Sequence, residues 1–174
     1  MRLESERQRL EQSILLDASG ERLDVNQFQR DLWAAAQTPG AWVSASAPTA
    51  SGKTFLILKW LVDELRKRPT QTVVYLAPTR ALVSEIEGSL IQLAKTARVT
   101  ANITSIPSMQ HLRDTAKTSE GRIFVVTQER LHLLTNIIKH QFQGDLLVID
   151  EAHKIGDPRR GVILQDAVER NLRA

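Results

Sequence analysis

A chain of 174 residues, 42% hydrophobic and 25% charged, has the size and composition of one globular domain with a substantial core. With no cysteine it holds neither a disulfide framework nor a thiolate metal site, and with no long apolar run and a charged leader (MRLESERQRLEQSILL) it shows no membrane segment or signal peptide, so a soluble cytoplasmic protein is expected. The net charge of +3 permits a nucleic-acid partner without implying one.

Residues 3–16 read as a polar helix with a thin apolar stripe (Leu3, Leu10, Ile14) ending near Gly20. Residues 1–25 are therefore expected to form a helical lead-in to a domain covering 26–174. A second helix is predicted over 27–37, stopped by Thr38-Pro39-Gly40. Beyond it the pattern alternates. Residues 42–47 suggest a short buried strand, and 53–67 a helix apolar on most sides that ends in Arg66-Lys67-Arg68 before Pro69. Then come a strand at 72–77, a helix at 80–95, a strand at 99–103 and a weak helix at 110–117. A strand at 122–127, a helix at 129–139, a strand at 145–150 and a helix at 162–172 complete the series. Continuously apolar strands alternating with helices describe an α/β fold, a parallel sheet covered on both faces. Ligands of such sheets bind at the carboxyl ends of the strands, so the residues after Ala47, Ala77, Thr127 and Ile149 are expected along one edge.

Ala47-Pro48-Thr49-Ala50-Ser51-Gly52-Lys53-Thr54 fits the phosphate-loop pattern, and it stands between a predicted strand and a predicted helix. Small residues let the backbone wrap a phosphate chain. The amides of Ala50, Ser51 and Gly52 and the helix N-terminus would cradle it, Lys53 would reach the outer phosphates, and the Thr54 hydroxyl would hold Mg²⁺. Asp150-Glu151-Ala152-His153 follows the apolar run LLVI. A magnesium nucleotide needs a carboxylate near the metal and a base for the attacking water, and Asp150 and Glu151 supply both. An acidic helix start would place the same residue types there for dipole reasons alone. The functional reading requires Lys53 to face Asp150 and Glu151 across one metal-triphosphate.

In order along the chain, APTASGKT (47–54), APTRAL (77–82), VTQER (126–130) and DEAH (150–153), with Phe28-Gln29-Arg30-Asp31 upstream, resemble the motifs of the first ATPase domain of superfamily 2 DEAD/DEAH-box helicases. That resemblance implies a RecA-like P-loop domain and ATP with Mg²⁺ as cofactors. It implies that Gln29 reads adenine, where a plain surface-helix glutamine is the alternative. Gly52, Lys53 and Thr54 would bind phosphates, Thr54 and Asp150 the metal, and Glu151 would activate water. His153 would link the ATP site to a second RecA-like domain. Thr79, Arg80 and Thr127 would contact the backbone of single-stranded DNA or RNA, although Thr79 also suits a helix cap. Ala50 stands where many relatives have Gly, which is tolerable where φ is negative, and Gln128 replaces a usual Pro. His111, His132 and His140 show no ligand spacing.

The same resemblance implies a strand carrying a Ser-Ala-Thr triplet, and a second RecA-like domain with arginine fingers worth about 10³–10⁵ in rate. Neither is present in these 174 residues. The missing strand would lie between the phosphate-loop strand and the DEAH strand. The expectation is an ATP-dependent helicase or translocase of which this stretch alone is inactive. A non-unwinding translocase and a non-catalytic nucleotide-binding module are the alternatives.

Overall fold

The computed structural model describes residues 14–17, 20–38, 40, 42–46, 52–108, 119–138 and 144–152. The chain divides into two compact units, Met1–Lys67 and Arg68–Ala174.

In the first unit, β1 (Ile14–Leu16) and β2 (Arg22–Asp24) form an antiparallel hairpin with Leu15 opposite Leu23. This corrects the expected helix at its C-terminal end; residues 1–13 lie outside the described residues. The turn explains the difference. Asp17 accepts at its carbonyl from Gly20 and at its carboxylate from the Glu21 amide, while Gly20 takes φ +78°. An Asp and a left-handed Gly make a tight reversal, which the apolar stripe did not reveal. Helix α1 (Gln27–Ala36) starts with a capping box: the Asn26 side chain accepts from the Gln29 amide, and the Gln29 side chain accepts from the Asn26 amide. It buries Leu32 and Trp33 and packs on α2 (Lys53–Lys67). Helix α2 is buried on most sides, as its composition predicts, including Leu58, Leu61 and Leu65. Several of its charges are paired within the unit. Lys59 bridges Asp17 at 3.4 Å and also Glu21, and Lys67 bridges Asp63 at 2.8 Å.

The strand expected at 42–47 is absent from 42–46, where Trp42 is 75% and Val43 42% exposed; Ala47 lies outside the described residues. A strand is stabilised by its neighbour's hydrogen bonds more than by propensity, and no described strand pairs with this segment.

The second unit is a four-stranded, all-parallel sheet in the order β4-β5-β3-β6, from β3 (Thr72–Leu76), β4 (Ala101–Thr104), β5 (Gly121–Val126) and β6 (Leu146–Ile149). Strand β3 is buried at every residue, as a central parallel strand must be. Alternate residues collect on one face: Val74, Leu76, Phe124 and Val126, joined by Leu147 and Ile149. Leu131 and Leu134 of helix α4 (Gln128–Ile138) pack there too. Helix α3 (Arg80–Thr96) buries Val83, Ile86, Leu90 and Ala94, a stripe at helical spacing, and contacts β4 and β5. The predicted helices at 110–117 and 162–172 fall outside the described residues.

Candidate nucleotide and nucleic-acid site

Parallel register brings the strand ends level. Leu76 pairs with both Val126 and Ile149. Just beyond, the Ala77 amide donates to the Val126 carbonyl at 3.0 Å and the Asp150 amide to the Leu76 carbonyl at 3.0 Å. Thr79, Thr127 and Asp150 therefore leave one carboxyl edge, as the sequence predicts for three of its four strands.

Thr79 is the N-cap of α3, its hydroxyl accepting from the Leu82 amide at 3.3 Å, and Arg80 opens the helix, exposed. Thr127 repeats the arrangement before α4, its hydroxyl accepting from the Arg130 amide at 3.3 Å. Capping uses an acceptor lone pair, so each hydroxyl proton can still be given to a phosphate oxygen. Two helix N-termini with Thr caps point to this edge, with Arg80 and Arg130 nearby, while Glu129 in the first turn of α4 offsets part of their attraction for anions. Gln128, in place of Pro, is buried and opens α4, so the turn after β5 forms without the proline.

Asp150 is held at three points. Besides its amide in the ladder, Oδ1 accepts from the Glu151 amide at 2.9 Å and Oδ2 from the Tyr75 hydroxyl at 3.1 Å. Burial, reinforced by the charge and hydrogen bond of Asp150, pushes the Tyr75 phenol far above its ordinary value, so it remains a donor. Glu151 adopts φ +52°, a left-handed conformation that disfavours side chains. His153 lies outside the described residues.

In the first unit, Gly52 takes φ +70° and its carbonyl accepts from the Leu56 amide at 3.1 Å, so it caps α2; Lys53 and Thr54 are the first two residues of that helix. No acidic residue stands in the first turn of α2 to compete for an anion. A Cβ at Gly52 would lie 2.7 Å from Gln29 Nε2. The predicted adenine reader is thus beside the phosphate-loop glycine, with one lone pair of its Oε1 given to the Asn26 amide. Ala50 and Ser51 lie outside the described residues.

The donor set suits magnesium. Each Asp150 oxygen has one protein hydrogen bond and lone-pair capacity remaining. Among the described residues no cluster of three or more acidic, His or Cys side chains forms a metal cage. Magnesium in nucleotide sites needs none, taking one or two carboxylates together with phosphates and water.

Sequence reasoning missed Tyr75, Lys59 and the capping box. Signals for them existed. A buried phenol requires a hydrogen-bond partner, and Asn26-x-x-Gln29 has the capping-box spacing.

A parallel α/β sheet with motif residues at the carboxyl ends of its strands is the arrangement of a RecA-like domain. Residues 26–172 match the DEAD/DEAH box helicase family model, and the chain belongs to that family. It is similar to the activating signal cointegrator 1 complex subunit 3-like protein of Dictyostelium discoideum, at 29% identity over 86% of this chain and 7% of that protein. Similarity to the DExH-box ATP-dependent RNA helicase DExH13 of Arabidopsis thaliana is 30% over 86% of the chain and 7% of the relative. The ATP-dependent DNA helicase Hel308 of Aeropyrum pernix is 29% identical over 73% of the chain and 16% of the relative. The chain thus spans a small part of the curated relatives it matches. No helix among the described residues is long and apolar enough to cross a membrane.

Proposed function

We propose that this chain is the ATP-binding part of a nucleic-acid helicase or translocase, in which Mg²⁺-ATP hydrolysis drives stepwise movement along one strand. The observation that carries the reading is the single carboxyl edge where the cap threonines of two helices, Thr79 and Thr127, stand level with the acidic turn at Asp150. Strand contacts and hydrolysis machinery in one row are what a motor needs to couple them.

In this reading Lys53, Gly52, Ser51 and Ala50 hold the phosphates, and Gln29 reads adenine with Nε2 and the second lone pair of Oε1. Thr54 and Asp150 would hold the metal, which would supply screening of the phosphate charge. Glu151 positions and deprotonates water. Thr79, Arg80 and Thr127 contact phosphodiester groups, which suits binding without sequence preference. Residues 1–25 serve as a lead-in and 26–174 as the ATPase domain, with His153 facing a second RecA-like domain that supplies the arginine fingers. Relatives named for RNA and for DNA both match, and the strand contacts proposed here are common to the two. The absence of cysteine is compatible with a reducing compartment such as the cytoplasm.

The test is ATP turnover by the intact protein with and without single-stranded RNA or DNA. Stimulated turnover is expected, lowered about 10²–10⁴-fold by Glu151→Gln, with nucleotide binding retained. Lys53→Ala is expected to weaken nucleotide binding itself. Unchanged turnover in both variants overturns the assignment.

A further inference from the structure

Tyr75 is fully buried in the central strand, in a run otherwise built of Thr, Val and Leu. Its register partner on β6 is Val148, two residues before Asp150. Two residues along a strand are roughly 6.6 Å and return to the same face. A phenol is long enough to span that step, and the hydroxyl reaches Asp150 Oδ2 at 3.1 Å. A phenylalanine would fill the same space without touching the carboxylate.

The other contacts of Asp150 leave one freedom. The ladder hydrogen bond from its amide to Leu76 fixes the main chain, and the Glu151 amide reaches Oδ1 from the adjacent residue. Both act close to the backbone of the turn. Among the described residues only the phenol, arriving from a different strand, restrains the carboxylate plane at its far oxygen. We propose that Tyr75 is a positioning residue for the metal site, aiming the open lone pairs of Asp150 toward Mg²⁺ through a hydrogen bond from β3. The inference rests on Asp150 serving as the metal-side carboxylate. Partners of this kind orient ligating carboxylates, and their loss typically weakens metal affinity by about 10–100-fold.

The test compares Tyr75→Phe and Asp150→Ala in the intact protein, using a fluorescent ATP analogue titrated with Mg²⁺. Tyr75→Phe is expected to raise the Mg²⁺ concentration for half-saturation about 10-fold. Binding of the analogue in EDTA should remain as in the wild type, because the nucleotide contacts are untouched. Turnover should recover at high Mg²⁺, a KM-type defect in the metal with kcat largely retained. If Asp150→Ala abolishes the Mg²⁺ response while Tyr75→Phe matches the wild type, Tyr75 is merely a satisfied core phenol and the inference fails alone. A Tyr75→Phe protein that loses stability but keeps its Mg²⁺ response overturns it equally. Should Asp150→Ala leave the Mg²⁺ response intact, the metal assignment itself falls and this inference with it.

Discussion

Gly52 and Glu151 share a left-handed backbone, at φ +70° and +52°, and reach it by opposite means. Gly52 opens the phosphate-loop helix, where no side chain is wanted, and glycine adopts the conformation without steric penalty. Glu151 lies in the turn two residues beyond β6, so a residue costing roughly 1–2 kcal/mol in that region is held there. What holds it is local: its amide donates to Asp150, itself fixed to β3 by the ladder. The same region of backbone thus carries strain at Glu151 that is absent at Gly52.

The two turns also differ in their supports, and the largest expected effect tests that. The acidic turn stands on a hydrogen-bonded sheet, whereas α2 is tied to the β1–β2 turn by buried charge. Lys59 pairs with Asp17, whose side chain is only 4% exposed, and with Glu21. Lys59→Met leaves the Asp17 carboxylate buried without its counter-ion and is expected to cost about 3 kcal/mol in chemical denaturation. Asp17→Asn in the same chain should recover most of the loss. Burial alone pulls the Lys59 ammonium down, but hydrogen bonds and charge from Glu21 and Asp17 outweigh it, leaving the pKa above its ordinary 10.5. A raised pKa in the folded state means that this contribution is complete below pH 10.5 and disappears as the pH climbs through the higher folded value. The gap between wild type and Lys59→Met should therefore narrow in strongly alkaline solution.

A smaller effect is expected at the glycine. In Gly52→Ala the new Cβ meets both a left-handed φ and Gln29 Nε2 at 2.7 Å. Displacing Gln29 also opens the capping box of α1. The combined loss is expected to be about 2 kcal/mol, from backbone strain and cap loss together. In a Gln29→Ala background only the backbone part, about 1 kcal/mol, should remain. Equal losses in both backgrounds would show that the contact with Gln29 contributes nothing.

The same contrast shows how far the sequence could be read. Helix α2 ends at Lys67 as expected because Pro69 and a basic last turn are local signals. The strands β3, β5 and β6 were legible because continuous β-branched runs have few other uses. The segment 42–46 has two apolar residues followed by small ones, and a strand there depends on a neighbour that sequence patterning does not supply. The β1–β2 hairpin was hidden because its reversal depends on one Asp and one Gly within a charged stretch. At the site, motif residues declared themselves by spacing, but the bond from Tyr75 to Asp150 crosses 75 residues and depends on register. Register emerges only when strands pair.

The subtlest expected effect separates the two turns most directly. Glu151→Gly should relieve roughly 1–2 kcal/mol of left-handed strain while adding roughly 0.5–1 kcal/mol of unfolded-state freedom. The net expectation is a protein about 0.5 kcal/mol more stable, which under the proposed function would also lose most ATP turnover in the intact protein. Glu151→Ala is the control, since it also removes the carboxylate but keeps a Cβ at φ +52°. Glycine should be more stable than alanine at 151 and less disruptive than any residue with a Cβ at 52. If alanine equals glycine at 151, the hydrogen bond to Asp150 is not restraining a strained residue, and the glutamate occupies its turn as easily as the glycine occupies the other.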